Sequence, residues 1–290
     1  MSIIMQDTQD GGEGRLSSVA SAIRVLKAFS ETEVEIGIST LAKRLGLAKS
    51  TVHRLASTLT AEGLLEQNPE NGRYRLGLGL FALGALVRRR MDISTQALPY
   101  LHELREITGE TVHLATLEQS NIIYLFNLES HQAIRMRSYV GARKPAFCTS
   151  EGRALLAFQS AEVLARVVKD GLAPRTPNTQ TDPALLRGTL EQVRRDGYAQ
   201  DDEESEVGMR GLAAPVRDHT GQVIAAIGIA GPTQRLTKKA MRGFVAPVLQ
   251  AADGVSARLG PVNTTQPICN QGEIDEPGKH DVEFVEAGED

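Results

Sequence analysis

The chain has only two cysteines in 290 residues, Cys148 and Cys269, too few for a disulfide framework. Unmodified thiols fit a reducing cytosol, so a cytoplasmic location is expected. The N-terminal run MSIIMQDTQDGGEG lacks a basic segment followed by an apolar one, which argues against a secretory signal. Long hydrophobic runs are missing too. Leu76–Val87 is broken by three glycines and Val223–Gly231 is short, both below the ~20 residues that span a bilayer. No internal repeat, low-complexity tract, G-x-G-x-x-G, Walker loop, G-x-S-x-G or H-E-x-x-H is present, and no enzyme activity, metal or cofactor is expected.

A net charge far from zero is also lacking. Lys and Arg number 32 against 36 Asp and Glu, a sum of −4 that at first argues against a nucleic-acid partner. The sum conceals segregation. Residues 1–14 carry −3, residues 15–90 carry +6, residues 91–260 balance, and residues 261–290 carry −7. The average therefore cannot exclude DNA. At 41% hydrophobic, the chain can bury one large or two ordinary cores.

The pattern divides the chain into a disordered start (1–14), a basic domain (15–77), a linker helix (78–91), a balanced domain (92–260) and a disordered acidic tail (261–290). In the basic domain, Ser17 or Ser18 caps a helix over Val19–Phe29, with Val19, Ile23, Leu26 and Phe29 at helical spacing. Glu35–Ile38 reads as a small strand. Ser39 caps a second helix that Gly46 stops, and a third starts near Ala48 or Lys49. Val52, Leu55 and Leu59 share its inner face, leaving Lys49, Ser50, Thr51, His53, Arg54 and Ser57 on the others. A short helix, a glycine turn and a basic, hydroxyl-rich helix match a helix-turn-helix, whose cations and hydroxyls suit phosphates and base edges. Asn71-Gly72 between two strand-like runs signals a hairpin. Its return strand alternates Tyr74 and Leu76, inward, with Arg73 and Arg75, outward toward DNA, which makes a winged helix. A solvated basic face is the plainer alternative; the order of elements favours DNA.

The balanced domain shows a helix over Ile93–Ile107 and strand-like runs at Thr111–Leu117, Ile122–Leu128 and Ile134–Val140. Helices follow from Ser150, at Glu162–Val168 and at Pro183–Arg195. Strands at Leu212–Arg217 and Val223–Ala230 precede a last helix, Thr237–Leu259. This grouping fits an α+β sheet. Asp201–Glu204 reads as a solvated acidic loop and Cys148 as a buried thiol.

Three stretches, SVASAIRVLKAFS, STLAKRLGLAKSTVHRLASTLTAEGLLEQNPENGRYRLG and DGYAQDDEESEVGMRGLAAPVRDHTGQVIAAIGIAGP, resemble the IclR-type (isocitrate lyase regulator) bacterial transcription factors. The likeness spans about Ser17 to Leu259. It implies a winged helix, a linker helix and a GAF-like effector-binding domain, assembled as a homodimer or homotetramer on double-stranded operator DNA, with RNA polymerase as a further partner. Organic acids or aromatics are the implied effectors. Leu78, Phe81, Leu86 and Val87 on the linker helix then suit a subunit contact, with packing within one chain as the plainer alternative.

By the same likeness, Ser39 joins Lys49, Ser50, Thr51, His53, Arg54, Arg73 and Arg75 at DNA. Effector contacts fall at Met136, Ser150, Glu151, Gly152, Asp201, Met209, Gly211, Gly228 and Ala230. The backbone of Ser150, Glu151 and Gly152, at a helix N-terminus, is the expected anion seat. Family members that bind small keto acids carry Cys and two Ser where this chain has Gly211, Gly228 and Ala230, and small residues at Ser150 and Glu151. The departure implies a roomier pocket for a larger, flatter aromatic carboxylate or phenol. Glu151 then needs Arg153 or Arg137 as a partner, or a phenolic hydroxyl to accept. A sensor or enzyme whose basic domain binds protein is the rival reading.

Overall fold

A computed structural model describes residues 18–30, 32–89, 92–136 and 138–260. Ser17, Arg90, Arg137, Cys269, the two termini expected to be disordered and the sequence reading of each lie outside them. The chain divides into two compact units that meet in sequence at Thr95 and Gln96.

In the first unit, α1 (Ser18–Leu26), α2 (Ile38–Leu45) and α3 (Lys49–Ala61) pack with a two-stranded sheet of β1 (Leu65–Gln67) and β2 (Tyr74–Leu76). Val25, Ile36, Leu41, Val52, Leu55, Leu59, Leu65 and Tyr74 form one core, so the inner face of the third helix read from helical spacing is the buried one. In α1 the reading fails: Val19 (69%) and Ile23 (45%) are exposed, and Ser21 and Val25 are buried instead. Gly46, in the left-handed region (φ 66°), ends α2 with its N–H on Ala42 O. Several local expectations need correction. α1 stops at Leu26, three residues before Phe29. Glu35–Ile38 is no strand: Ile36 makes a single bridge to Tyr74, and Ile38 is already helical. Ser39 is therefore inside α2, and Gly37 is the N-cap, its carbonyl receiving the N–H groups of Thr40 and Leu41. Leu76 points away from the core and is 45% exposed.

The start of α4 (Leu78–Arg89) is fastened to the turn after α3. Gly77 N donates to Leu64 O (2.9 Å) and Gly79 N to Gly63 O (3.0 Å). A Cβ at Gly77 would lie 2.3 Å from Gly63 O, so only glycine permits this backbone-to-backbone approach.

The second unit is a six-stranded antiparallel sheet in the order β5-β4-β3-β8-β7-β6. Its strands are β3 (Thr111–Glu118), β4 (Asn121–Leu128), β5 (Arg143–Pro145), β6 (Ala199–Asp202), β7 (Met209–Arg217) and β8 (Val223–Pro232). α5 (Asp92–Thr108) runs into this unit, and α9 (Lys238–Arg258) packs on β7 and β8. A Cβ at Gly254 of α9 would lie 2.2 Å from the Tyr100 ring, so small size lets α5 and α9 touch. The short α6 (Ser150–Leu156) packs on β3, β6, β7 and β8, with α8 (Pro183–Asp196) beyond it and α7 (Ala161–Asp170) between them in sequence. This is the expected α+β, GAF-like arrangement rather than a doubly wound sheet.

The expected strand at Ile134–Val140 is absent, and the described residues there are irregular. Its β-branched and aromatic residues have no face to bury: Ile134 is 72%, Tyr139 45% and Val140 59% exposed. The segment is held by a side chain instead, Asn127 Nδ2 donating to Ser138 O at 2.6 Å. β5 and β6 are strands that propensity did not signal.

Candidate nucleic-acid interface and effector cavity

Helix α3 presents its cations because its other face is fully committed to the core. Lys49, Ser50, His53, Arg54 and Ser57 are exposed and Thr51 is half-buried. Among the described residues Lys49, His53 and Arg54 make no ion pair. Ser39 is exposed in the first turn of α2. The wing is less simple than the alternation suggested. Glu66 faces Arg75 across the hairpin and accepts from its guanidinium at 2.9 Å, with Glu35 at 3.9 Å. Arg73 is exposed and makes no ion pair among the described residues. Glu35 is also bonded by Asn71 (3.0 Å) and Asn68 (3.1 Å), whose amides hold its carboxyl below the usual range and tie the turn to the core.

In the second unit, α6 lies against the sheet over a small cavity lined by Tyr124, Met136, Ser150, Glu151, Asp201, Met209, Arg210, Gly211 and Ala230. Seven of the nine expected effector residues therefore meet at one place. Gly152 and Gly228 do not line it. Gly152 packs on the Ala146 backbone, where a Cβ would lie 2.1 Å from the carbonyl, and its N–H is taken by Thr149 Oγ1 at 3.2 Å. Gly228 is buried beneath Glu151, whose Oε1 would be 3.1 Å from an added Cβ.

The expected extra room is not there. A Cβ at Gly211 would come within 2.6 Å of Ser150 Oγ, so the space that the small sheet residues release is filled by Ser150 and Glu151. The open volume is about 10 Å³, enough for roughly one water. The two departures from the family pattern compensate each other sterically.

Glu151 is buried, and its partners are neither Arg153 nor, among the described residues, any other arginine. Oε1 meets His113 Nδ1 at 3.1 Å and Oε2 accepts from Ser150 Oγ at 3.0 Å. Burial pushes its pKa up, but the bond and charge of His113, its own backbone N–H and Ser150 outweigh that and hold it below the ordinary value. His113 is fully buried, stacked on Tyr124 at 4.4 Å between centroids, with Nε2 2.7 Å from Ser138 Oγ. The sequence reading missed His113, since its partner is 38 residues away and nothing local marks the pair. The strand register that places His113 opposite Gly228 is what brings it under α6.

The acids Asp201–Glu204 are not a solvated loop. Each has a separate partner: Ser205 for Asp201, Arg210 and Lys238 for Asp202, the Gly208 N–H for Glu203 and Arg153 for Glu204. Arg153 meets Glu204 with both terminal nitrogens (2.5 and 2.6 Å) and also bonds Phe147 O and Gln200 O. Burial pushes Asp201 up to about 6 against its bonds from Ser205 and Glu204. Cys148 is buried and, by burial, pushed up to about 12, unsuited to a thiolate nucleophile. No helix among the described residues is long and apolar enough to cross a membrane.

A winged helix with a free basic recognition helix, joined to an α+β unit with a polar cavity, defines a single-chain DNA-binding transcriptional regulator with a ligand domain. The particular family follows from comparison. Residues 18–69 match the IclR helix-turn-helix domain and residues 85–257 match the bacterial transcriptional regulator IclR C-terminal domain. The chain belongs to the IclR family of bacterial transcriptional regulators. It is 37% identical over 246 residues to the HTH-type transcriptional regulator KdgR of Escherichia coli, covering 84% of this chain and 93% of that one. Against XynR of the same organism the figures are 38% over 222 residues, 76% and 88%. An IclR homologue from Microbacterium hydrocarbonoxydans, solved with 4-hydroxybenzoate, superposes with a TM-score of 0.74 at 30% identity, covering 84% and 99%.

Proposed function

We propose that this regulator reads its operator with Ser39, Lys49, Ser50, Thr51, His53 and Arg54 in or beside the major groove and Arg73 on the backbone or minor groove. It responds to an aromatic or other organic acid held in the cavity of the second unit, and controls a catabolic operon from the cytoplasm without turning the ligand over. The observation that carries the reading is the set of cations on α3, without ion pairs among the described residues and fixed in place by the fully buried Val52, Leu55 and Leu59 face. Residues 15–77 form the DNA-binding domain, 78–91 the linker and 92–260 the effector domain. The protein acts as a homodimer or homotetramer. Supporting this, Leu78, Phe81, Leu83, Leu86 and Val87 of α4 are all more than half exposed, an apolar surface suited to a second copy.

A gel shift on DNA flanking its own gene tests the proposal. Binding should fall steeply as salt rises and weaken at every sequence in Lys49→Ala/Arg54→Ala. Absence of binding at low salt sinks the reading. Phe81→Glu should lower the mass seen by sedimentation; an unchanged mass removes α4 from the interface.

A further inference from the structure

The helix end expected to seat an effector's carboxylate already holds one. Glu151, in the first turn of α6, turns its carboxylate back onto its own backbone N–H and takes Ser150 Oγ and His113 Nδ1 as further donors. Two further amides of that turn are also used, Gly152 N by Thr149 Oγ1 and Arg153 N by Thr149 O.

Asn127 Nδ2 donates to Ser138 O, so its Oδ1 is the acceptor for Ser138 Oγ–H at 2.8 Å. The single hydroxyl proton of Ser138 is then used, and the 2.7 Å contact to His113 Nε2 must have the ring as donor. One proton then lies between Nδ1 and Glu151 Oε1, and the buried His113–Glu151 pair has no net charge. Glu151 keeps unused lone pairs on the cavity side. The other acid there, Asp201, is bonded three times by its own loop, by Glu204 N, Ser205 N and Ser205 Oγ. Arg210, also in the lining, is bound to Asp202. The described lining thus offers the Glu151 carboxylate as an acceptor and no uncommitted cation.

We propose that Glu151 makes this site selective for effectors that present an O–H donor, a phenol or an alcohol, to its carboxylate. Ligands whose polar atoms at that end are acceptors only, such as α-keto acids, are rejected by a carboxylate that His113 and Ser150 hold in place. The proposal rests on the cavity being the effector site. Since its open volume is about one water, the ligand enters as Met136 and Met209, flexible thioether side chains in the lining, rotate aside.

The test uses the full-length protein and matched probes in calorimetry and thermal shift: 4-hydroxybenzoate, phenol and glycerate, each against its O-methyl or deoxy counterpart, plus pyruvate. At least one hydroxylated probe should bind tenfold or more tightly than its counterpart, and pyruvate should not bind. Glu151→Gln should bring that ratio towards one. Ser150→Ala, which frees a lone pair while keeping the carboxylate, should preserve or widen it and serves if the Gln variant fails to fold. Equal affinity within each pair, binding of pyruvate alone, or no binding by any hydroxylated probe overturns the proposal. Ala230→Leu separates the two readings. Binding that survives it unchanged, with the hydroxyl preference intact, means the ligand lies elsewhere and the cavity assignment fails.

Discussion

Removing Arg73 takes away an exposed guanidinium that makes no ion pair among the described residues, whereas Arg75 is already neutralised by Glu66 at 2.9 Å. The two wing arginines should therefore be unequal at DNA. Deleting a single cation–phosphate interaction changes the slope of log affinity against log salt by about 0.9. For a dimer with two wings, Arg73→Ala should flatten the slope by roughly 2, so the loss of affinity at 50 mM salt exceeds that at 200 mM by about tenfold. The charge-neutral double variant Arg75→Ala/Glu66→Gln should leave the slope unchanged. Arg73 and Arg75 are exposed and Glu66 is half-buried, and an ion pair at such a surface contributes about 0–1 kcal/mol, so folding is not the variable. Fluorescence anisotropy on the operator and on random duplex, at four or five salt concentrations, reads the slopes directly. If the double variant flattens the slope as much as Arg73→Ala, the Arg75–Glu66 pair opens on DNA and the distinction drawn from the free protein is wrong.

Other expectations come from the interior. Because Asp201 is raised from 3.8 to about 6 in the folded protein, the native state holds its proton more tightly than the unfolded chain. Its contribution is thus fully present below its ordinary pKa and is lost as pH rises to about 6, a change of about 3 kcal/mol. Urea melts of Asp201→Asn should lack that decline, and parallel pH profiles for variant and wild type would refute it. Glu204→Ala strands the buried Arg153 and should cost about 3–5 kcal/mol in the same melts, with a loss under about 1 kcal/mol disproving the buried pair. Gly77→Ala drives a methyl into Gly63 O and should destabilise the first unit by about 1–3 kcal/mol; an unchanged melt would show that the contact relaxes freely.

What the sequence revealed depended on how local the signal was. Helix α3 and its inner face were legible because Val52, Leu55 and Leu59 recur at helical spacing, and the hairpin because Asn71-Gly72 marks the turn. Ile134–Val140 misled because β propensity describes residues that fit a half-buried surface, and here no such surface exists. Seven of the nine residues that family likeness assigned to the effector line one cavity. The misjudged room had a different cause: Gly211 and Ser150 are 61 positions apart in numbering, and only the fold reveals that one is small because the other points at it. The Arg75–Glu66 pair was within reach, since counting back from the turn gives their register.

The contact of Gly77 and Gly79 with the turn at Gly63 and Leu64 bears on how this regulator can be cut and recombined. No side chain intervenes there to absorb a misfit, and both hydrogen bonds run from the first residues of the α4 segment to the turn that closes the recognition helix. A graft that moves the DNA-reading module onto another regulator must therefore carry the first turn of α4 with it. A seam placed directly after β2, at the last strand of the winged helix, would leave those two peptide carbonyls without their donors. A seam beyond Gly79, inside the linker helix, keeps both hydrogen bonds.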